Sequence, residues 1–169
     1  CCILNTPIEE CRKRLEERNN SDYPNKVPLE VLDKYYKSFE IPFMEEGWDV
    51  IMMDRTIPAD QIISYDMAIL KKCIGFNQHN KHHTQDLDKH LLSVAHYLEE
   101  RHVSSVLFRA GLFHDVGKLD TQFYKPNDEN AHYYNHANVG AYNLMCNTYY
   151  NGSFDNLTYL FYINYHMKP

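Results

Sequence analysis

The sequence predicts a mostly α-helical protein: an all-α helical bundle over the second half of the chain, preceded by a partial α/β segment. Three observations carry this. Apolar residues recur at spacings of three and four in four successive segments of the second half, the spacing of a buried helix face. Pro7 and Pro28 stand where prolines open helices. Short apolar runs at each end of the first fifty-odd residues have the length of strands, not of helices.

Taken in order, Cys1-Cys2-Ile3-Leu4 reads as a strand. Thr6-Pro7-Ile8-Glu9-Glu10 follows as a helix start, with threonine as cap, proline in the first position and carboxylates in the first turn, and the helix runs to about Asn19. A polar loop from Asn19 to Lys26 separates it from a second helix, opened by Pro28 and running through Tyr36. Glu46-Gly47-Trp48-Asp49-Val50-Ile51-Met52-Met53 reads as a turn and a strand, and the stretch from Pro58 to Lys72 as a mixed connection. The second half reads as helical throughout. Leu87, Leu91, Val94 and Leu98 form the first stripe; Val103, Val106, Leu107 and Ala110 the second; Ala137, Ala141, Leu144 and Met145 the third; Leu157, Leu160 and Phe161 a fourth. The expected division is 1–55, a connecting segment 56–78, and a helical domain 79–169.

Composition narrows the function classes. At 169 residues and 44% hydrophobic content the chain can bury a core. A formal net charge of -6 excludes a surface that grips long nucleic acid by phosphate neutralisation alone, which requires a clustered basic face. Five scattered cysteines without a CxxC pair fit neither a disulfide framework nor a thiolate zinc site, and as reduced thiols they point to the cytoplasm. No apolar run approaches the roughly 20 residues of a membrane span. The chain opens on Cys-Cys-Ile-Leu with no methionine and ends at Pro169, and it reads as a fragment of something longer.

The histidines carry the chemistry. None lies before His79. His90 sits three residues after Leu87 and four before Val94, on the core side of its helix. His114 continues the stripe of Val106, Leu107 and Ala110, with Asp115 beside it; His136 precedes the small Gly140 by four; His166 follows Ile163 by three. A lone core-facing histidine is ordinarily a hydrogen-bonded core residue. Four on successive helices, one next to an aspartate, call for a partner that satisfies them together, since each buried unpaired polar group costs about 1–3 kcal/mol. A divalent cation does so: imidazole nitrogen with carboxylate oxygen suits zinc, iron, manganese or nickel, and a bound water then titrates near about pH 7. His79, His82, His96, His102 and His132 are expected on the surface, with His83 intermediate.

His90, the run Leu112-Phe113-His114-Asp115-Val116-Gly117-Lys118, then His136-Ala137-Asn138-Val139-Gly140-Ala141 and Ile163-Asn164-Tyr165-His166 together resemble the HD superfamily of metal-dependent phosphohydrolases, over about residues 79–169. Asn80-Lys81-His82-His83-Thr84 leading to Asp88-Lys89-His90 is similar to the entry of the HD domain in CCA-adding tRNA nucleotidyltransferases. The resemblance implies metal binding by His90, His114 and Asp115. It also implies that His136 and His166 match the extra histidines of two-metal HD phosphatases, with Asp115 bridging, and that Lys118 meets a substrate phosphate. One or two ions of Mn, Fe, Ni, Mg or Zn are the implied cofactors, with Asp115 and Lys118 the catalytic pair. The family's late aspartate would lie beyond Pro169.

In the first half, Leu4-Asn5-Thr6-Pro7-Ile8-Glu9-Glu10-Cys11, Lys26-Val27-Pro28, Ser38-Phe39-Glu40-Ile41-Pro42 and Glu45-Glu46-Gly47-Trp48-Asp49 resemble the C-terminal part of P-loop polynucleotide kinase-like domains, over residues 1 to about 53. The resemblance implies a lid helix whose Arg14 and Arg18 reach the phosphates of ATP in the parent kinase. The GxxxxGK[ST] loop is not in this sequence and would precede Cys1. Kinase beside phosphohydrolase implies work on RNA ends, adding a 5′ phosphate and removing a 3′ or 2′,3′-cyclic one. Other readings of the same residues are a hydrolase of dinucleoside polyphosphates or free nucleotides, a non-catalytic nucleotide-sensing module, and, ranked last, an iron-dependent oxygenase.

Overall fold

A computed structural model describes residues 2–4, 6–42, 46–47, 51–53, 59–147 and 154–168. The chain is mostly helical, as expected. The first strand, β1 (Cys2–Leu4), pairs in parallel with β2 (Ile51–Met53), in the register Cys2 to Ile51 and Leu4 to Met53. Between them run α1 (Ile8–Asn20) and α2 (Leu29–Lys37). A parallel pair needs such a crossover, because two parallel strands cannot be joined by a hairpin. Residues 48–50 of the expected strand lie outside the described residues.

Pro7, not Thr6, is the N-cap of α1, and no side chain caps it. The Thr6 carbonyl is used instead by Tyr142, whose hydroxyl donates to it at 2.6 Å, so the entry to α1 is tied to the helical half. The segment after α2 is tied there too. Ile41 is fully buried, and its N–H donates to Asn164 Oδ1 at 2.5 Å, while Asn138 Nδ2 donates to the Phe39 carbonyl at 2.7 Å.

Residues 59–73, expected as a mixed connection, form one helix, α3 (Ala59–Cys73). Its buried face holds Ile69 and Cys73 with Tyr65 packed against the core, a spacing of four that is the helix signal. Arg109 Nη2 reaches Asp66 at 2.9 Å and locks the next layer to it.

The bundle is built of α4 (Leu87–Glu100), α5 (Ser105–Phe113), α7 (His136–Met145) and α8 (Phe154–Tyr165). Ser104 caps α5 by accepting the Leu107 N–H at 3.3 Å. α4 packs on α5, α5 on α8 and α8 on α7. Leu87, Leu91, Phe113, Leu144, Leu160 and Ile163 fill the space between, each 3% exposed or less. Burying such side chains stabilises the fold by about 1.5–3 kcal/mol apiece.

The second half is not helical throughout. After a short α6 (Lys118–Thr121) the chain makes an antiparallel hairpin of β3 (Phe123–Tyr124) and β4 (Ala131–His132), pairing Phe123 with His132 and Tyr124 with Ala131. Between the strands, Lys125-Pro126-Asn127-Asp128 supplies the turn, with Asn127 at φ 64°. Asparagine tolerates that left-handed conformation, and proline cannot continue a ladder. Among the described residues no helix is long and apolar enough to cross a membrane, and Cys11, Cys73 and Cys146 are not joined in disulfides.

Candidate metal centre

The four core-facing histidines come together, although three of them stand at helix ends and not inside helices. His114 follows the last residue of α5, His136 is the first of α7, and His166 follows α8; His90 lies within α4. In the three end positions the ring is fixed in one way. His114 Nδ1 lies 2.8 Å from the Gly111 carbonyl, His136 Nδ1 2.7 Å from that of Tyr133, and His166 Nδ1 2.7 Å from that of Ile163. Each carbonyl belongs to the residue three positions earlier. A carbonyl only accepts, so each Nδ1 carries the proton and donates it, which leaves the Nε2 lone pair facing the other way.

Those lone pairs converge on Asp115. His90 Nε2 lies 3.3 Å and His114 Nε2 3.4 Å from Asp115 Oδ2. On the other oxygen, His136 Nε2 lies 3.1 Å and His166 Nε2 3.5 Å from Oδ1. Within each pair the ring nitrogens are 3.2 Å apart, His90 to His114 and His136 to His166. In the His136 and His166 pair these are two neutral acceptors, both aimed at a carboxylate, and they repel unless a positive charge lies between them.

The donor chemistry fits a divalent cation. Nitrogens 3.2 Å apart, each about 2.0–2.1 Å from a common ion, subtend roughly 100° there, between the octahedral and tetrahedral angles. Two overlapping sets of donors qualify: His90, His114 and Asp115, and Asp115, His136 and His166. Asp115 with its four histidines can therefore hold a metal ion.

Access is from the ring side. Asp115 keeps 5% of its side-chain surface exposed, against 28% for His90, 18% for His166 and 15% for His114. Burial alone would raise the Asp115 carboxyl pKa. The rings would outweigh it only as donors; with three of them fixed as acceptors, the positive charge of Lys118, 2.7 Å away, is what opposes burial and favours the anion.

Lys118 is brought into the same centre, but not as an exposed arm. Its side chain is 4% exposed; Nζ donates to Asp115 Oδ2 at 2.7 Å and to Gln78 Oε1 at 2.8 Å, and lies 3.4 Å from His83 Nε2. Burial, then the nearby Lys118 charge, lower the pKa of His83. Gln78, 1% exposed, went unnoticed in the sequence, as did Tyr133, whose hydroxyl donates to the Gln78 carbonyl at 2.6 Å.

Two glycines let the backbones meet. A Cβ on Gly117 would fall 2.0 Å from the His136 carbonyl oxygen and 2.6 Å from the Gly140 nitrogen, so only glycine allows the turn carrying Asp115 to lie on α7.

Of the remaining histidines, His79, His82, His96 and His102 are exposed and His132 is half-buried against Asp128 at 2.8 Å. Arg14 Nε donates to Glu10 at 2.7 Å along α1, and Arg18 donates to the Asn25 carbonyl at 3.1 Å with its guanidinium 4.4 Å from the centroid of the Tyr23 ring. Comparisons with protein-family models, curated proteins and solved structures gave no match.

Proposed function

We propose that the chain is a metal-dependent phosphohydrolase of the HD type, acting on phosphate esters of nucleotides or RNA ends, the 3′ and 2′,3′-cyclic phosphates among them. One observation carries this reading: a buried aspartate whose two oxygens each face a pair of imidazole nitrogens, three of the four fixed as acceptors. In this proposal His90, His114 and Asp115 hold one ion, and Asp115, His136 and His166 hold a second, with the carboxylate shared. Divalent-cation chemistry at such a site is Lewis-acid activation of a phosphoryl oxygen together with acidification of water.

The chain's own residues supply the rest. Carbonyls of Gly111, Tyr133 and Ile163 keep three of the four rings oriented from behind, so the donors need little rearrangement. Lys118, 2.7 Å from Asp115, places a fixed positive charge beside any phosphate bound there. For residues 1–55, the parallel pairing of β1 with β2 supports an α/β kinase-like segment, in whose parent Arg14 and Arg18 would meet the phosphates of ATP. Five scattered cysteines without a CxxC pair favour a cytoplasmic setting.

Elemental analysis of the wild type and of His114→Ala, run beside phosphate release from a 3′-phosphorylated oligoribonucleotide and from a panel of nucleotides and dinucleoside polyphosphates, tests the proposal. Metal content and phosphate release should fall together in the variant. Phosphate release surviving complete loss of metal would overturn it, and preference for a free dinucleoside polyphosphate would move the substrate class.

A further inference from the structure

We propose that the outward face of the β3–β4 hairpin, formed by Phe123, His132 and Tyr134, is a stacking site for the nucleobase of a substrate whose phosphate lies at the Asp115 centre. The proposal rests on the phosphohydrolase reading for the phosphate, and on separate observations for the base.

The three rings form a continuous surface. Phe123 lies 5.4 Å from His132 and 5.3 Å from Tyr134 between centroids, and His132 stacks on Tyr134 at 5.6 Å with 25° between planes. His132 ends β4 and Tyr134 stands in the turn that follows, and Phe123 is the cross-strand partner of His132. Yet Tyr134 is 56% and Phe123 38% exposed. Single exposed aromatics are ordinary; three in mutual contact on an outer surface invite a flat partner.

The face is held rigid. The Ala131 N–H donates to the His79 carbonyl at 2.7 Å, Asn80 Nδ2 donates to the Ala131 carbonyl at 3.0 Å, and Asp128 fixes the His132 ring at 2.8 Å. Little freedom is lost when such a surface binds.

Its surroundings favour a heteroaromatic base over an aliphatic partner. A cavity of about 400 Å³ adjoins Phe123 and Tyr134 and is otherwise lined by Lys37, Asp120, Thr121, Gln122 and Asn135. These offer donors and acceptors for the polar edge of a base. Lys125 Nζ, 5.4 Å from the Tyr134 centroid, adds a cation at the rim for a backbone phosphate.

Position joins the face to the metal centre. Tyr134 precedes His136 by two residues, at most about 7 Å of chain. Asn135, between them at φ 63°, reverses the chain so that Tyr134 is exposed while His136 is 8% exposed. Tyr133 lies on the inner side with its hydroxyl on Gln78, whose Oε1 holds Lys118.

The test uses the full chain and three probes: an RNA hexamer with a 3′-phosphate and 2-aminopurine as its last base, the same hexamer abasic at that position, and 2-aminopurine riboside 3′-monophosphate. Binding should quench the fluorophore in both base-containing probes, and the abasic hexamer should bind more weakly. In Tyr134→Ala and Phe123→Ala the Kd for the base-containing hexamer should rise about 5- to 150-fold, towards the abasic value, while Tyr134→Phe stays within about twofold of wild type. Circular dichroism checks the fold of each. Equal binding of the base-containing and abasic hexamers by wild type would overturn the proposal, as would alanine variants with unchanged Kd. Quenching of the hexamer without the monophosphate assigns the face to RNA ends; quenching of both assigns it to nucleotides generally. Phosphate release by wild type from a ring-free ester, glycerol 2-phosphate, reads the metal centre alone, so its failure removes the hydrolase reading and leaves the stacking result standing.

Discussion

Lys118→Met removes the one ammonium that sits on Asp115. The pair is buried on both sides, 4% and 5% exposed, at 2.7 Å, so water does little to screen it. Breaking a buried pair by removing one partner costs about 3–5 kcal/mol, because the other charge stays behind uncompensated. For a chain of this length that lowers Tm by roughly 6–20 °C in chelator-treated protein. A divalent cation at the same carboxylate changes the balance, since it and the ammonium repel. Removing Lys118 should therefore tighten metal binding, by tenfold or more in order of magnitude, and by linkage the metal should stabilise the variant more than the wild type. Thermal melts with EDTA and with excess Mn²⁺ or Zn²⁺ measure both quantities. A chelated variant that melts within about 2 °C of wild type, or an equal gain from metal in both proteins, would refute the reasoning.

Gly117→Ala should destabilise the chelated protein by about 3 kcal/mol or more and lower its metal content, because the new methyl meets the backbone of α7 at both His136 and Gly140, which cannot move aside. Gly140→Ala, whose Cβ would meet Gly117 at 3.0 Å and 3.3 Å, should cost less; urea denaturation orders the two, and the reverse order would count against the close approach. Asp128 is held at about 2 by the Asn130 N–H and the His132 ring, so its carboxyl favours the fold at all pH above its ordinary 3.8 and ceases to as pH falls towards 2. A carboxyl-carbon NMR titration should place its midpoint near 2, and a midpoint near 3.8 would mean that neither the Asn130 nor the His132 contact is formed.

The bundle was legible because its helices bury one face: Leu87 with Leu91, and Ala141 with Leu144 and Met145, recur at the helix period and lie inside. The centre was legible for the same reason, as polar rings on apolar stripes need a shared partner. Helix α3 went unread although Tyr65, Ile69 and Cys73 carry the spacing of four, since apolar Ile62, Ile63, Met67 and Leu70 blur the stripe. The hairpin went unread because strands of two residues are too short to display alternation, leaving Pro126-Asn127-Asp128 as the sole signal. The burial of Lys118 depends on Gln78, forty positions away in sequence, and no local pattern encodes such a meeting. Only the i to i-3 recurrence behind His114, His136 and His166 would have been visible in advance, had helix ends been placed correctly.

The left-handed Asn135 makes the hairpin's foot and the start of α7 one mechanical part. Lengthening or shortening the chain at that joint would swing an outer ring and a ligand ring together, whereas the loop from Lys125 to Asn130 can vary at its tip without disturbing either. The rings that can hold an ion are thus insulated from variation at the far end of the ribbon.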